Sequence, residues 1–479
     1  MKKVIVIGVN HAGTSFIRTL LSKSKDFQVN AYDRNTNISF LGCGIALAVS
    51  GVVKNTEDLF YSTPEELKAM GANVFMAHDV VGLDLDKKQV IVKDLATGKE
   101  TVDHYDQLVV ASGAWPICMN VENEVTHTQL QFNHTDKYCG NIKNLISCKL
   151  YQHALTLIDS FRHDKSIKSV AIVGSGYIGL ELAEAAWQCG KQVTVIDMLD
   201  KPAGNNFDEE FTNELEKAMK KAGINLMMGS AVKGFIVDAD KNVVKGVETD
   251  KGRVDADLVI QSIGFRPNTQ FVPKDRQFEF NRNGSIKVNE YLQALNHENV
   301  YVIGGAAAIY DAASEQYENI DLATNAVKSG LVAAMHMIGS KAVKLESIVG
   351  TNALHVFGLN LAATGLTEKR AKMNGFDVGV SIVDDNDRPE FMGTFDKVRF
   401  KLIYDKKTLR LLGAQLLSWN TNHSEIIFYI ALAVQKKMLI SELGLVDVYF
   451  LPHYNKPFNF VLAAVLQALG FSYYTPKNK

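Results

Sequence analysis

Cys43 is the residue of this sequence whose chemistry stands out, and it lies in the run from Ile38 to Leu47. Gly42 and Gly44 flank it, so both neighbouring peptide groups can lie flat against a planar ligand. The apolar residues that follow predict a helix, and a thiol at a helix N-terminus has a lowered pKa because the amide dipoles favour the thiolate. A buried structural cysteine is the ordinary interpretation of a lone cysteine in an apolar run. The sequence on either side decides between the two.

The composition is that of an ordinary globular protein. The chain has 479 residues, of which 47% are hydrophobic and 22% charged, and this length suffices for about three domains. A net charge of -2 and scattered Lys and Arg residues exclude a nucleic-acid footprint. No stretch is long and apolar enough to span a bilayer. The apolar run near the N-terminus is too short for a signal peptide and predicts a strand.

The cysteines form no ligand or disulfide pattern. There are five, Cys43, Cys118, Cys139, Cys148 and Cys189, and no two of them have C-x-x-C spacing. This argues against both a disulfide framework and a thiolate metal site. We therefore predict no metal, reduced thiols and a cytoplasmic protein.

A glycine-rich turn follows the first predicted strand. The β-branched run at residues 4–7 predicts a strand buried on both faces. Gly8, Asn10 and Gly13 follow with the spacing of a dinucleotide-binding turn, with Asn10 in place of the middle glycine. The next predicted strand ends in Asp33, where an acid can bind both hydroxyls of an adenosine ribose.

The same unit recurs at residues 169–197. A strand leads into Gly174, Gly176 and Gly179, then into a helix and into a second strand that ends in Asp197. Strand, turn, helix, strand and acid in this order imply a second dinucleotide. Asp197 favours a free 2′-hydroxyl because its charge would repel a 2′-phosphate, so the sequence predicts NADH over NADPH.

Two later segments bracket the second unit. Each predicts a strand that runs into a turn with Gly and Pro, and another buried strand with small residues at its end follows. The economical arrangement is one domain interrupted by another, which predicts an α/β protein with two Rossmann-like dinucleotide-binding domains and an α+β C-terminal domain. The predicted bounds are residues 1–120 and 255–340 for the first domain, 150–254 for the second and 341–479 for the third.

The order of these segments resembles the two-dinucleotide-binding-domain flavoprotein reductases, in which the first unit binds FAD and the inserted unit binds NAD(P)H. Glutathione reductase-like members carry two cysteines spaced C-x-x-x-x-C, whereas the position five beyond Cys43 is Ala48. A single cysteine in Ser-Phe-Leu-x-Cys-Gly, with His11 in the first turn, is similar to the branch that contains NADH oxidase, NADH peroxidase and coenzyme A-disulfide reductase. The runs Asn-His-Ala-Gly-Thr and Gly-Ile-Ala-Leu are most similar to the water-forming NADH oxidases.

This resemblance covers almost the whole chain and implies a set of site residues. Cys43 and His11 are the implied catalytic residues. The implied FAD contacts are Gly8, Asn10, Ala12, Gly13, Asp33, Ser112, Gly113, Gly304, Ala323, Thr324 and Asn325. The implied NADH contacts are Gly174, Gly176, Tyr177, Ile178, Gly179, Asp197 and Gly264.

One departure from the family is at Gly305. Family members usually have Gly-Asp where this chain has Gly304 and Gly305, and the aspartate binds the ribityl chain of FAD. Gly305 supplies no carboxylate. The resemblance therefore implies that backbone and water hold FAD there, or that FAD is held more weakly.

The implied reaction is the reduction of O2 to water by two NADH through FAD. Tyr177 covers the flavin ring until NADH displaces it. The Cys43 thiolate attacks peroxide, becomes a sulfenic acid and is reduced by the second NADH, which makes it the redox-active centre. His11 hydrogen-bonds the peroxide or the sulfenate and handles protons.

Three alternatives stay open at this point. An NADH peroxidase would use the same residues on H2O2. A coenzyme A-disulfide reductase is less well matched, because the Pro-Tyr run usual after its cysteine is absent. A slow redox-sensing flavoprotein is the alternative outside catalysis. The ratio of NADH to O2 consumed distinguishes an oxidase from a peroxidase.

The last third of the sequence has a different periodicity. It predicts strands at residues 398–404 and 409–417 and a helix at 425–438. Residues 446–454 resemble the family segment that places aromatic side chains near the thiol of the other subunit, which implies a homodimer. An aromatic core is an equally good interpretation of Tyr449 and Phe450, and His453 has no assigned role.

Overall fold

The computed structural model describes residues 1–119, 125–127, 142–274 and 278–471, and Cys139 lies outside them. The α-helices are α1 (His11–Lys23), α2 (Ile45–Ser50), α3 (Pro64–Ala69), α4 (Tyr151–Ile158), α5 (Tyr177–Gln188), α6 (Glu209–Lys221), α7 (Ala323–Met337), α8 (Glu368–Met373), α9 (Ile427–Gln435), α10 (Ile440–Gly444) and α11 (Phe460–Ala468). Short 3₁₀ turns lie at Gly42–Gly44, Thr56–Leu59, Gly304–Ala306, Glu390–Met392 and Ser424–Ile426, and a π-helical turn lies at Asp159–His163.

A parallel sheet carries the first glycine turn. Its strands, in spatial order, are Val300–Val302, Gln107–Val110, Lys2–Ile7, Phe27–Asp33 and Ala72–Met76. Val4, Ile5 and Val6 of the central strand are fully buried in a core that includes apolar residues of α1 and α7. The predicted strand, turn and helix at the N-terminus are confirmed.

A second parallel sheet carries the second glycine turn. Its strands, in spatial order, are Leu145–Ser147, Leu258–Gln261, Ser169–Val173, Gln192–Ile196 and Asn225–Met227. Leu258–Gln261 pairs with strands on both sides within this sheet. The sequence assigned residues from 255 onward to the first domain, but this pairing places the strand with the second. The pattern does not separate the two choices, because strands buried on both faces have the same apolar composition in either sheet.

Small sheets connect and flank these units. Phe265–Pro267 pairs with Ala114–Met119, so the two chain crossings between the first and second units lie side by side. Val125–His127 extends this sheet by pairing with Ala114–Met119. The other small sheets are formed by His78–Asp84, Gln89–Asp94 and Glu100–His104, by Val232–Asp238, Val243–Thr249 and Gly252–Asp255, and by Ile286–Lys287, Ala307–Asp311 and Gln316–Glu318.

The C-terminal part is an antiparallel sheet with helices packed on it. The strands, in spatial order, are Asn352–Val356, Leu359–Gly365, Leu411–Ser418, Lys397–Asp405 and Val378–Asn386. The two predicted strands are confirmed, the second beginning at Leu411. The predicted helix at 425–438 is shorter, since α9 ends at Gln435. The three units together confirm the predicted fold class.

A buried lysine joins the C-terminal sheet to the second unit. Lys401 is fully buried, and its Nζ lies 3.1 Å from Asp208 Oδ2, 3.1 Å from Glu210 Oε2 and 2.9 Å from Glu368 Oε2. Burial alone would lower the pKa of Lys401, but these carboxylates raise it above its ordinary value. Asp208 and Glu210 belong to the start of α6 in the second unit, so this ion cluster holds two units together.

Residues 446–454 leave large aromatic side chains on the surface. The exposed fraction is 71% for Tyr449, 49% for Phe450 and 62% for Tyr454. Neither Tyr449 nor Phe450 therefore belongs to the core of this chain. His453 is also exposed.

Among the described helices, none combines the length and the apolar character needed to cross a bilayer.

We expect Lys401→Met to lower the free energy of unfolding by about 3 kcal/mol, because it leaves carboxylates facing a site without their cation. Lys372→Met is the matched control. Lys372 pairs with the same Glu368 at 2.5 Å but is 61% exposed, and exposed pairs contribute about 1 kcal/mol or less. Urea titration followed by tryptophan fluorescence measures both. Equal losses in the two variants would contradict a structural role for the buried cluster.

Candidate active site

A cavity opens at the carboxyl ends of the first parallel sheet. It encloses about 1210 Å³ including its mouth, and the first residues of α1 and α7 line it. The two helices approach each other closely, because a Cβ on Gly330 of α7 would overlap the carbonyl oxygen of Ala12 in α1. Two helix N-termini therefore face one cavity, and their amide dipoles favour negative charge there.

The first glycine turn has no room for side chains at its outer positions. Gly8 has a φ of +93°, and a Cβ there would overlap the carbonyl oxygen of Ala111. A Cβ on Gly13 would overlap the carbonyl oxygen of Gly8. The turn and the first residues of α1 are thus packed directly on the strands, which leaves the space in front of Asn10 for a ligand.

Asp33 fastens this turn to the neighbouring strand. Its Oδ2 accepts a hydrogen bond of 2.7 Å from the backbone N–H of Val9, and its Oδ1 accepts one of 2.8 Å from Asn35. Burial raises the pKa of Asp33 to about 6, against the effect of these two donors. Asp33, the residue predicted to bind the ribose, therefore also determines the shape of the turn.

The second turn repeats this construction. Asp197 Oδ2 accepts hydrogen bonds from the backbone N–H of Ser175 at 2.6 Å and from its Oγ at 2.7 Å. A Cβ on Gly174 would overlap Ser262 O, and one on Gly179 would overlap Gly174 O. A Cβ on Gly176 would meet nothing within 4 Å. The middle glycine thus leaves its backbone open to a phosphate group.

The structure brings most of the predicted first-unit residues to the cavity. Gly13, Thr324 and Asn325 are not part of its lining. Gly13 is packed against the strand side of the turn, and on α7 only the face with Ala323 and Ala326 points inward. The predicted residues that line the cavity are Gly8, Asn10, His11, Ala12, Asp33, Ser112, Gly113, Gly304 and Ala323.

Tyr177 leaves the second glycine turn toward the C-terminal sheet. Its hydroxyl donates a hydrogen bond to Asn352 Oδ1, and its ring packs edge-on against Phe207 with 6.4 Å between centroids. Burial raises its pKa well above the ordinary value. Tyr177 is therefore a neutral phenol, and its hydroxyl is held by a residue of the C-terminal sheet.

Cys43 lies in the 3₁₀ turn Gly42–Gly44, directly before α2, and its side chain is accessible. The expectation of a lowered thiol pKa is wrong. The surrounding protein and the negative charge of Glu181 raise the pKa of Cys43 above its ordinary value. The helix that follows spans only Ile45–Ser50, so its dipole is too small to offset these effects. Cys43 is not among the described residues that line the cavity.

His11 begins α1 and lines the cavity. Its Nδ1 is 3.0 Å from the hydroxyl of Tyr61, and the two rings are stacked. Burial and the positive charge of Lys149 lower the pKa of His11. His11 is thus a neutral imidazole near neutral pH, with one ring nitrogen engaged by Tyr61.

Three charged residues near the site were not predicted. Lys149 and Asp321 both line the cavity, and burial lowers the pKa of Lys149 and raises that of Asp321. Glu181 has a pKa raised to about 7 by burial and by Glu184. Glu181 could have been found, because it is four residues after Tyr177 and so shares its helix face. Nothing in the local sequence marks Lys149 or Asp321.

Two family matches divide the chain. Residues 2–330 match the family described as pyridine nucleotide-disulphide oxidoreductase. Residues 351–458 match the dimerisation domain of that family. Together the matches cover the two parallel sheets and the C-terminal sheet.

Curated relatives of known name match over nearly the whole length. The chain is 83% identical over 477 residues to the NADH oxidase of Mycoplasma genitalium, with 100% of both chains covered. It is 40% identical over 459 residues to the NADH oxidase of Enterococcus faecalis, with 96% of this chain and 97% of that relative covered.

Solved structures give the same result at the level of the fold. The water-forming NADH oxidase from Lactobacillus brevis bound to NADH has a TM-score of 0.89 and 35% identity, with 98% of each chain covered. The reduced Bacillus anthracis CoADR-RHD has a TM-score of 0.88 with 98% of this chain and 80% of that chain covered, and at 23% identity it shows the fold alone.

We expect Glu181→Gln to make Cys43 more reactive, because it removes a negative charge that raises the thiol pKa. The pKa of Glu181 is about 7, so the carboxyl is mostly protonated at about pH 6 and charged at about pH 8. The variant should therefore match the wild type at about pH 6 and react about three- to tenfold faster at about pH 8. Iodoacetamide labelling of the Cys43 peptide, followed by mass spectrometry, measures the rates.

Glu214→Gln on α6 is the control for a change of net charge. Identical pH profiles for Glu181→Gln and the wild type would mean that Glu181 does not act on Cys43.

Proposed function

This chain belongs to the pyridine nucleotide-disulphide oxidoreductase family, and we propose that it is an FAD-dependent NADH oxidase that reduces O2 to water with two NADH. The observation that carries the proposal is the accessible thiol of Cys43, with Ala48 where a disulfide partner would stand. α2, which follows Cys43, packs on α5 of the second dinucleotide unit. The thiol therefore lies where the two units meet. The named NADH oxidases among the relatives support the proposal.

The residues of the first cavity fit FAD. The N-termini of α1 and α7 suit its pyrophosphate and the edge of an anionic ring, and Asp33 suits its adenosine ribose. Ala12 and Gly304 approach each other closely at the cavity wall, since a Cβ on Gly304 would lie 3.0 Å from Cβ of Ala12, and their small size keeps side chains out of the cavity there. When bound, FAD accepts a hydride from NADH and passes electrons to O2.

The second turn fits NADH. Gly176 leaves its backbone open to the pyrophosphate, and Asp197 at the strand end accepts the ribose hydroxyls. Ser175 and Leu199 already donate to the Asp197 carboxylate. This carboxylate would repel a 2′-phosphate, which favours NADH over NADPH. Tyr177 stands at the start of α5, where it covers the approach to the flavin until NADH displaces it.

Cys43 cleaves peroxide in the proposed reaction. Its thiolate attacks one oxygen of H2O2, the O–O bond breaks, and hydroxide leaves and takes a proton to become water. The sulfur is oxidised to sulfenic acid, the first and reversible step of thiol oxidation. The second NADH supplies the two electrons that restore the thiol and release the other water. A raised thiol pKa makes a nearby proton acceptor necessary at neutral pH.

His11 is the proposed proton carrier. It is neutral because burial and Lys149 lower its pKa, so its ring offers one donor and one acceptor. Tyr61 engages Nδ1 at 3.0 Å, which orients the ring. His11 then hydrogen-bonds peroxide or the sulfenate through the other nitrogen.

In this proposal the protein is a homodimer and is located in the cytoplasm. The match of residues 351–458 to a dimerisation domain and the exposed Tyr449, Phe450 and Tyr454 support a partner that covers this segment. We assign FAD binding to the first parallel sheet and NADH binding to the second, with the return to the first unit after Gln261 rather than at residue 255.

We expect the wild type to consume two NADH per O2 and to release no H2O2, and Cys43→Ser to consume one NADH per O2 and to release H2O2. The reason is that O2 can still be reduced to peroxide while its cleavage is lost. An oxygen electrode, NADH absorbance and a catalase pulse measure both ratios. Cys189→Ser, which removes another partly accessible thiol, is the control.

A wild type that is inert toward O2 but rapid with added H2O2 would identify an NADH peroxidase instead. An unchanged water yield in Cys43→Ser would remove Cys43 from the mechanism.

A further inference from the structure

The carboxylate of Asp321 occupies the space that a side chain at position 305 would fill. A Cβ built on Gly305 would overlap Asp321 Oδ1 and would lie 3.3 Å from its Cγ. The next atom, the backbone nitrogen of Ala114, is 3.4 Å away, which is ordinary contact. Asp321 is thus the one obstacle within that distance, and it presents a carboxyl group there.

Asp321 faces the cavity rather than the protein interior. Gly304, Gly305 and Asp321 all line the cavity, and Asp321 is exposed. The surrounding protein nevertheless raises the pKa of Asp321, while the charge of Lys149 lowers it. A carboxylate on the wall of this cavity can accept hydrogen bonds from the hydroxyl groups of a ligand that fills it, and hydrogen bonds to a charged acceptor are strong.

The place of Asp321 in the chain explains how it reaches this position. It comes two residues before Ala323, the first residue of α7, so its charge is favoured by the helix N-terminus. Gly305 lies in the turn Gly304–Ala306 at the end of the strand Val300–Val302. Asn319 Nδ2 donates to Gly305 O at 3.1 Å and to Ala307 O at 2.9 Å. These two hydrogen bonds keep the loop before α7 against the turn Gly304–Ala306, in which position 305 has no side chain.

We propose that Asp321 supplies, from the start of α7, the carboxylate that this chain lacks at position 305, and that it accepts hydrogen bonds from the ribityl hydroxyls of FAD. The inference rests on the proposed function, since it assumes that the first cavity holds FAD. It replaces the expectation that FAD is held there by backbone and water or more weakly. The carboxylate is thus carried by a different element, the loop before α7, and occupies the space that a side chain at position 305 would fill.

Because a side chain at position 305 and the carboxylate of Asp321 would occupy the same space, single and double variants at these two positions test the inference. Asp321→Ala removes the carboxylate and should weaken FAD binding about tenfold to hundredfold, the usual range for a hydrogen bond to a charged group. Gly305→Asp alone puts two carboxylates in one space and should also weaken binding. Gly305→Asp combined with Asp321→Ala should restore affinity to within about threefold of the wild type. Gly305 does not have a left-handed φ, so an aspartate adds no backbone strain.

FAD affinity is measured directly, without turnover. Each variant is stripped of flavin, its fold is checked by circular dichroism, and the dissociation constant is obtained from the quenching of FAD fluorescence on titration. Asp311→Asn is the matched control. Asp311 is 2% exposed and bonds only its own turn, at Ala313 N and Ser314 Oγ, so its loss should reduce stability and leave FAD affinity unchanged.

The outcomes separate this inference from the proposed function. If the wild type binds no FAD, the proposed function fails whatever Asp321 does. If the wild type binds FAD and Asp321→Ala binds it equally well, only the inference about Asp321 is overturned. Failure of the double variant to regain affinity, with its fold intact, would also overturn it, because a purely structural role of Asp321 at α7 predicts no rescue from position 305.

Discussion

The hydrogen bonds that two strand-end aspartates accept from the backbone of the neighbouring glycine turns are the interactions on which the site depends. Asp33 holds the N–H of Val9, and Asp197 holds the N–H of Ser175. Each bond joins adjacent parallel strands at their carboxyl ends and so fixes where the following helix begins. Because a helix N-terminus is the part of such a unit that can face a dinucleotide, each carboxylate determines the position of the surface where we propose that a cofactor binds. In both units the residue expected to bind a ribose also shapes the turn.

Around the first cavity, charge is balanced by residues from separate parts of the chain. Lys149 and Asp321 act on each other across it, and burial together with the charge of Lys149 lowers the pKa of His11. Glu181 raises the pKa of Cys43, and its own pKa of about 7 places its ionisation near neutral pH. Burial and the charge of Glu181, a residue of the second dinucleotide unit, together raise the pKa of the Cys43 thiol, and the helix that follows the thiol is short.

The C-terminal sheet does more than provide a surface for a partner. Its Lys401 binds acids at the start of α6, and its Gln415 exchanges hydrogen bonds with Asp208 at 2.9 and 2.8 Å. Asn352 of the same sheet holds the hydroxyl of Tyr177. The second unit is thus anchored at two points to the C-terminal sheet, one at the buried ion cluster and one at Tyr177, the first residue of α5.

The sequence by itself determined the two glycine turns, the acids at the strand ends, the lone thiol and the order of the units, because each of these depends on residues close in the chain and on a fixed spacing. Only the tertiary structure decided which sheet received the strand Leu258–Gln261, since its apolar composition suits either. It also reversed the expected pKa shift of Cys43, because the burial that raises this pKa arises only on folding and the charge that adds to it, Glu181, is distant in sequence. The carboxylate of Asp321 occupies the space beside Gly305 only after the chain has folded. A contact between two loops leaves no local pattern in the sequence from which it could be predicted.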